Sequence, residues 1–224
     1  ALESLFKSAK VSYLSEMMNY PGVLNKDAEV WAKLNLAQNY NCPIDGHAPG
    51  LMGEQVKQYA QAGISTDHEC STLEEAEQKL AAGMKILIRE GSAARNFEAL
   101  HSLISRHPKQ VMFCSDDKHP DDLLVGHINQ LAARALALGH DVFNVLCCAC
   151  INPVVHYGLA VGQLKVGDPM DAVMLKDLMS LTPLKTWING ELVAEQGKSL
   201  ITSVVTKPCN QFQARKVTAD DFLI

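Results

Sequence analysis

The chain has 224 residues, of which 47% are hydrophobic and 20% are charged, and its formal net charge is −5. This composition is typical of a globular protein, and the scattered Lys and Arg residues form no basic stripe that would bind nucleic acid. The apolar runs are short and interrupted by polar residues, so we expect no membrane span, no secretory leader and a cytoplasmic location. The seven cysteines follow no paired spacing, which favours reduced thiols.

From Pro43 onward, short apolar runs alternate with amphipathic segments. The predicted strands lie in "CPIDGH", "ISTDHE", "MKILIREG" and "QVMFCSDD". The predicted helices are "LMGEQVKQYAQAG", "TLEEAEQKLAAG", "RNFEALHSLISRHP" and "PDDLLVGHINQLAARALALG", and a buried helix is predicted in "DVFNVLCCACINP". Glycine ends three of the helices, and "STLEEA" predicts a capping-box start. The alternation predicts parallel strands with helical crossovers, in a layered α/β fold or a (β/α)8 barrel.

Polar residues recur where each predicted strand ends. His47, His68, Glu90 and Asp116 follow one another at similar intervals along the chain. The carboxyl ends of barrel strands meet at one mouth, where barrel enzymes build their active sites. This pattern favours the barrel and places the stretch "REGS", residues 89–92, at the rim of a site. Two histidines and an aspartate at such a mouth are typical ligands for a divalent metal in a hydrolase.

The predicted secondary structure changes after Gly158. Residues 159–224 are rich in glycine turns and alternating β-formers, and "INGEL" predicts a hairpin turn between two strands. We therefore predict a partial barrel over residues 1–158 and part of a β-rich accessory domain, a β-sandwich, over residues 159–224.

Four consecutive motifs carry a family resemblance. "PIDGHAPGL", "STDHECSTLEEA", "MKILIREGSAARN" and "SDDKHPDDLLVGHI", with "LSEMMNYPGVL" before them, strongly resemble the adenine deaminases of the amidohydrolase superfamily. The resemblance implies about strands four to eight of a (β/α)8 TIM-type barrel. It also implies metal-dependent hydrolytic deamination of adenine, a small-molecule purine, to hypoxanthine and ammonia. Manganese or Fe(II) is the expected metal, with zinc as a third option.

The resemblance also implies roles for single residues. It gives four metal ligands, which are Glu16, His47, His68 and Asp116. Asp116 would accept a proton from the attacking water and return it to the departing ammonia, and Asp117 stays open as the alternative aspartate. We assign Glu90 as the group that protonates or hydrogen-bonds a ring nitrogen.

Three further residues are expected beside the purine, and each has a structural alternative. They are Arg89, Ser92 and His119. Arg89 can instead pair with a neighbouring carboxylate, and Ser92 can instead cap the following helix. His119 can instead open the helix that begins with "PDD", because proline favours the first helical turn.

One departure from the superfamily concerns its first-strand His-x-His pair, since no two of the eight histidines here lie two residues apart. Sequence for the first three strands is also not seen. We therefore expect either a homo-oligomer or a missing complementary barrel segment that completes the fold. Two alternatives stay open: another amidohydrolase that opens a cyclic amide, and a non-catalytic fragment that depends on assembly. A zinc deaminase of the other fold is disfavoured, because "KPCNQF" lacks the second cysteine of P-C-x-x-C.

Overall fold

The computed structural model describes residues 2–8, 11–207 and 209–222. Its parallel strands are β1 (Leu14–Met17), β2 (Ile44–Gly46), β3 (Thr66–Asp67), β4 (Lys85–Arg89) and β5 (Val111–Cys114). Strand β1 pairs with β2, and β4 lies between β3 and β5. A parallel bridge between Ile44 and Ile64 joins the two groups into one series. Parallel neighbours linked by helices agree with the predicted barrel segment.

Helices separate these strands along the chain. Around β1 lie α1 (Leu2–Ser8), α2 (Tyr20–Leu24) and α3 (Ala28–Asn39). The next crossovers contain α4 (Glu54–Gln61), α5 (Leu73–Ala81), α6 (Phe97–Leu100) and α7 (Leu103–Arg106). After β5 come α8 (Pro120–Val125), α9 (Ile128–Ala137), α10 (Val142–Leu146) and α11 (Asn152–Tyr157). No helix of the described residues is long and apolar enough to cross a bilayer.

The predicted start of α5 is present. The Thr72 hydroxyl accepts a hydrogen bond from the Glu75 amide at 3.2 Å, and the Glu75 carboxylate accepts one from the Ser71 amide at 3.1 Å. The first bond satisfies an amide that the first helical turn leaves unpaired, and the second binds the residue before the N-cap to the helix. At the other end of α5, Gly83 has a φ of 89°, a left-handed conformation that glycine adopts without a Cβ clash.

Three helix predictions differ from the structure. The predicted helix over "RNFEALHSLISRHP" forms two short helices, α6 and α7. The helix predicted from Pro120 breaks at Gly126, because a glycine inside a helix carries a high entropic cost and here the backbone is extended. The cysteine-rich segment Cys147–Ile151 is a π-helical turn in which only Cys148 is buried.

The apolar core lies on the helix-facing side of the strands. In β4, Ile86 and Ile88 are fully buried against Phe97 and Leu100 of α6. Side chains alternate between the two faces of a strand, so Leu87 and Arg89 point to the opposite side. This alternation decides which residues at the end of β4 reach the barrel mouth.

The chain after residue 171 forms an antiparallel sheet. Its strands, in order, are β6 (Ala172–Leu175), β7 (Pro183–Ile188), β8 (Glu191–Glu195) and β9 (Lys198–Ser199). The predicted hairpin turn joins β7 to β8, and both Asn189 and Gly190 have positive φ, as a type I′ turn requires. The described residues form no second sheet facing this one, so the sandwich and the boundary at residue 158 stay predictions.

Candidate metal centre

Three of the four expected metal ligands meet at the carboxyl ends of β1, β2 and β3. His68 Nε2 lies 2.9 Å from Glu16 Oε2, and His47 Nδ1 lies 3.5 Å from Glu16 Oε1. The two imidazole rings have centroids 5.5 Å apart. His47 follows β2 directly and His68 follows β3 directly, so the strand ends bring the two rings together.

Asp116, two residues beyond β5, joins this group through Arg89. The Arg89 guanidinium donates to Asp116 Oδ2 at 2.5 Å. Asp116 also belongs to a group, with His68 and Glu69, whose potential ligand atoms lie within 4.8 Å of one another. Both aspartates are exposed, but Asp117 belongs to no such group in the described part of the chain. Of the two aspartates, the structure brings Asp116 to the site.

Glu69 is a member of the cluster that sequence reasoning missed. Its Oε1 atom lies 3.3 Å from both His47 Nδ1 and His68 Nε2. Its carboxylate also pairs with both terminal nitrogens of Arg89, with Nη2 to Oε2 at 2.8 Å. The signal was its place next to a strand-end histidine in "DHEC". Alternation would send adjacent residues to opposite faces, but Glu69 lies beyond the end of β3, where alternation no longer holds.

These residues fit a divalent metal ion. Glu16, His47 and His68 have potential ligand atoms within 4.8 Å of one another. His47 Nδ1 is buried and forms no hydrogen bond with any described residue. This ring nitrogen nevertheless lies close to two carboxylates. Buried polar atoms are nearly always satisfied, and a metal ion would satisfy this one. Imidazole and carboxylate donors suit manganese, iron and zinc.

A cavity of about 400 Å³ opens beside Glu16, His68 and Asp116. This volume is within the range of small-molecule sites. On its wall, the Asp45 carboxylate accepts hydrogen bonds from the Thr66 hydroxyl at 2.7 Å and from the Tyr157 hydroxyl at 3.0 Å. Burial raises the pKa of Asp45 despite these bonds.

Glu90 does not join the cluster, which differs from the prediction. It continues the face of β4 that carries Ile86 and Ile88, so its side chain turns toward the helices. There Glu90 Oε2 accepts a hydrogen bond from Arg134 of α9 at 3.1 Å, and Oε1 accepts one from the Phe97 amide at 3.4 Å. The prediction treated every polar residue at a strand end as facing the mouth, whereas here the preceding residue, an arginine, faces it.

Ser92 and His119 link the loops that follow β4 and β5. The Ser92 hydroxyl donates to Asp122 Oδ2 at 2.5 Å and accepts from the His119 amide at 2.8 Å. Ser92 therefore does not cap α6, whose first residue follows Asn96. His119 is exposed and immediately precedes α8, with Pro120 in the first turn, as its structural alternative predicted.

The amidohydrolase family model matches residues 2–193, and the chain belongs to the amidohydrolase family. Among its relatives are adenine deaminases. The chain is 51% identical over its whole length to the adenine deaminase of Salinibacter ruber and 49% identical over 99% of its length to that of Methanosarcina mazei. These matches confirm the resemblance seen in the motifs. The chain spans 41% and 40% of these two relatives, about two fifths of their length.

Solved structures of other enzymes share the fold. A β-aspartyl dipeptidase from Fervidobacterium islandicum AW-1 superposes with a TM-score of 0.61 at 17% identity, over 80% of this chain and 54% of that one. An N-acetyl-D-glucosamine-6-phosphate deacetylase from Mycobacterium smegmatis gives 0.54 at 16% identity, over 74% and 51%. At this identity the likeness concerns the fold alone, and it confirms the barrel segment.

Proposed function

We propose that this chain carries part of the active site of a metal-dependent adenine deaminase, which converts adenine and water into hypoxanthine and ammonia. One observation carries the proposal. Glu16, His47, His68 and Asp116 converge at the carboxyl ends of parallel strands, in a chain about half identical to adenine deaminases. Within the shared amidohydrolase fold, the identity of these relatives favours an aminopurine over a cyclic amide.

The metal would be held by the carboxylate and imidazole groups of the mouth. They are Glu16, His47, His68 and Asp116, with Glu69 as an additional donor. Manganese or Fe(II) is the proposed metal, and zinc is a third option. Bound there, the ion would supply a water activated at neutral pH, because metals lower the pKa of bound water from ~15.7 to about 7.

Asp116 is the proposed proton carrier. It accepts a proton from the attacking water and returns it to the exocyclic amine, which leaves as ammonia while the water oxygen stays on the ring carbon. Arg89 holds the Asp116 carboxylate from one side and is itself held by Glu69, so the ion pairs limit how far Asp116 can turn. Arg89 thus orients the proton carrier.

Ser92 and His119 remain the proposed contacts to the purine. Their loops follow β4 and β5, the strands that end at Arg89 and just before Asp116, and a hydrogen bond joins them. Glu90 is engaged by Arg134, so a role for it at a ring nitrogen has no geometric support.

The location, the assembly and the accessory domain of the protein are also proposals. We propose a cytoplasmic enzyme that works as a homo-oligomer or with a segment that completes its barrel. Within the described residues, β1 and β5 each pair on one side only, and parallel strand edges are normally covered. The antiparallel sheet is proposed to belong to a β-sandwich domain that begins near residue 159.

The test is ammonia release from adenine by the purified protein after reconstitution with Mn(II) or Fe(II). We expect release from adenine and none from a cyclic amide such as a hydantoin, and we expect Asp116→Asn to lower the rate ~10²- to 10⁴-fold. Asp117→Asn is the matched control and should change the rate less than about threefold, because Asp117 belongs to neither group of potential ligands in the described residues. Ring opening of the cyclic amide without deamination, or equal loss in both variants, would contradict the proposal.

A further inference from the structure

A buried ion network lies beneath the turns that carry His47 and His68. Lys79 Nζ of α5 lies 2.7 Å from Glu75 Oε1 and 3.3 Å from Asp67 Oδ2. The side chains of Lys79 and Asp67 are completely buried, and that of Glu75 is 3% exposed. Buried charges are expensive and are retained where they are paired and hydrogen-bonded.

The network binds the backbone of the turn after β2. Lys79 Nζ donates to the Ala48 carbonyl at 2.7 Å, and Asp67 Oδ2 accepts from the Ala48 amide at 2.9 Å. Glu75 Oε1 accepts from the Gly50 amide at 2.8 Å. The residue after His47 is therefore fixed at both its amide and its carbonyl.

The same side chains bind the turn after β3. Asp67 immediately precedes His68, and its Oδ1 atom accepts from the Glu69 amide at 2.7 Å. Glu75 Oε2 accepts from the Ser71 amide at 3.1 Å. One lysine therefore joins, through two carboxylates, the two turns that bear the imidazoles.

We propose that Lys79 is a positioning residue for the metal centre: by holding residues 47–50 and 67–71 against α5, it sets the spacing between His47 and His68. This inference rests on the proposed function, because it takes these two histidines as metal ligands. Metal affinity depends on donors held in place before the ion arrives, and partners that orient a ligand commonly account for ~10- to 100-fold in affinity. Lys79 contacts neither imidazole and acts through the Ala48 backbone and Asp67.

The experiment compares Lys79→Met with Leu80→Ala in the purified protein. Leu80 is the next residue of α5, but its apolar side chain packs in the cluster with Ile86 and Phe97 and can form no hydrogen bond. Its truncation therefore destabilises the same helix and leaves the hydrogen bonds of both turns in place. The probe is Mn(II), and its dissociation constant is measured on the folded fraction. We expect at least tenfold weaker Mn(II) binding for Lys79→Met and less than twofold for Leu80→Ala. Equal effects in the two variants would overturn the proposal.

A milder variant and a metal-free measurement keep the test decisive. Glu75→Gln keeps the side-chain length but removes the charge that faces Lys79, so it should fold and weaken Mn(II) binding about threefold to tenfold. Without metal, amide hydrogen exchange at Ala48 and Gly50 should accelerate in both network variants relative to Leu80→Ala. Unchanged hydrogen exchange would overturn the proposal that Lys79 holds the two turns.

The two readouts separate this proposal from the proposed function. Weaker Mn(II) binding in Lys79→Met, in a protein that releases no ammonia from adenine, would support the positioning role of Lys79. The same result would contradict the proposed deaminase activity. A wild-type protein that binds no Mn(II) would contradict both the metal centre and the positioning role, whatever the exchange rates show.

Discussion

The parallel-strand region and the antiparallel sheet of this chain differ in whether they bury charged side chains. Around the parallel strands, Lys79 and Asp67 are fully buried and bonded to backbone turns. In the antiparallel sheet, the Lys185 and Glu195 pair, 2.9 Å apart, has side chains 39% and 41% exposed. Of the described residues after Tyr157, only Leu181 is buried. Every predicted site residue lies in the first region, which also contains all the buried charged side chains of the described residues.

The largest expected contrast is in stability. Lys79→Met leaves the Asp67 and Glu75 carboxylates buried without their cation, so we expect the free energy of unfolding to fall by about 3–5 kcal/mol. Lys185→Met removes one side of an exposed ion pair and should change it by no more than about 1 kcal/mol. Urea unfolding of both variants measures the difference. Similar losses in the two variants would erase the contrast between the regions.

A second contrast concerns pH. Burial, reinforced by the nearby Lys85 ammonium, lowers the pKa of His156 to about 4, and its ring contacts Lys85 and Ser65. Between pH 6.5 and about 4 the unfolded chain therefore binds a proton that the folded chain does not, so stability falls as the pH falls through this window. Allowing for the partial exposure of His156, we expect a loss of about 1–2 kcal/mol.

The matched variant for this pH effect is His156→Gln, which should lose that part of the pH dependence. No histidine follows residue 156, so the antiparallel sheet contributes no imidazole titration. Unfolding free energies of wild type and variant at several pH values between 4 and 7 give the difference. Parallel curves for the two proteins would show that His156 titrates normally in the fold.

The smallest effect is expected in the hairpin of the antiparallel sheet. Gly190 has a φ of 84°, and an added Cβ would meet no atom within 4 Å, so Gly190→Ala costs only backbone strain. We expect about 1 kcal/mol of lost stability and an unchanged Mn(II) dissociation constant. Thermal unfolding and a Mn(II) titration measure the two quantities. Weaker Mn(II) binding in this variant would show that the two regions are coupled.

The part of the site that could be predicted is the part set by strand ends. His47, His68 and Asp116 each follow a predicted strand, and the convergence of parallel strand ends brings them together without further information. The N-terminal cap of α5 and the turn at Asn189 and Gly190 could also be predicted from the sequence, because each depends only on residues adjacent in the chain.

The features of the site that could not be predicted depend on the direction in which a side chain points, and not on its position along the chain. Whether Arg89 or Glu90 faces the mouth is decided by the register of β4 against β5, where Arg89 lies beside Cys114. Glu69 enters the site because β3 ends at Asp67, one residue before His68. The Lys79 network joins segments that are distant in sequence, and an isolated lysine on a helix gives no sign that it is buried.

The metal centre is tested most directly by the amount of Mn or Fe retained per chain. Elemental analysis measures it for wild type and His68→Ala after reconstitution and dialysis. We expect near-stoichiometric metal in the wild type and much less retained metal in His68→Ala, because His68 is common to both groups of potential ligands. A folded wild type without metal, or equal retention by the variant, would contradict the metal centre at the mouth of these strands.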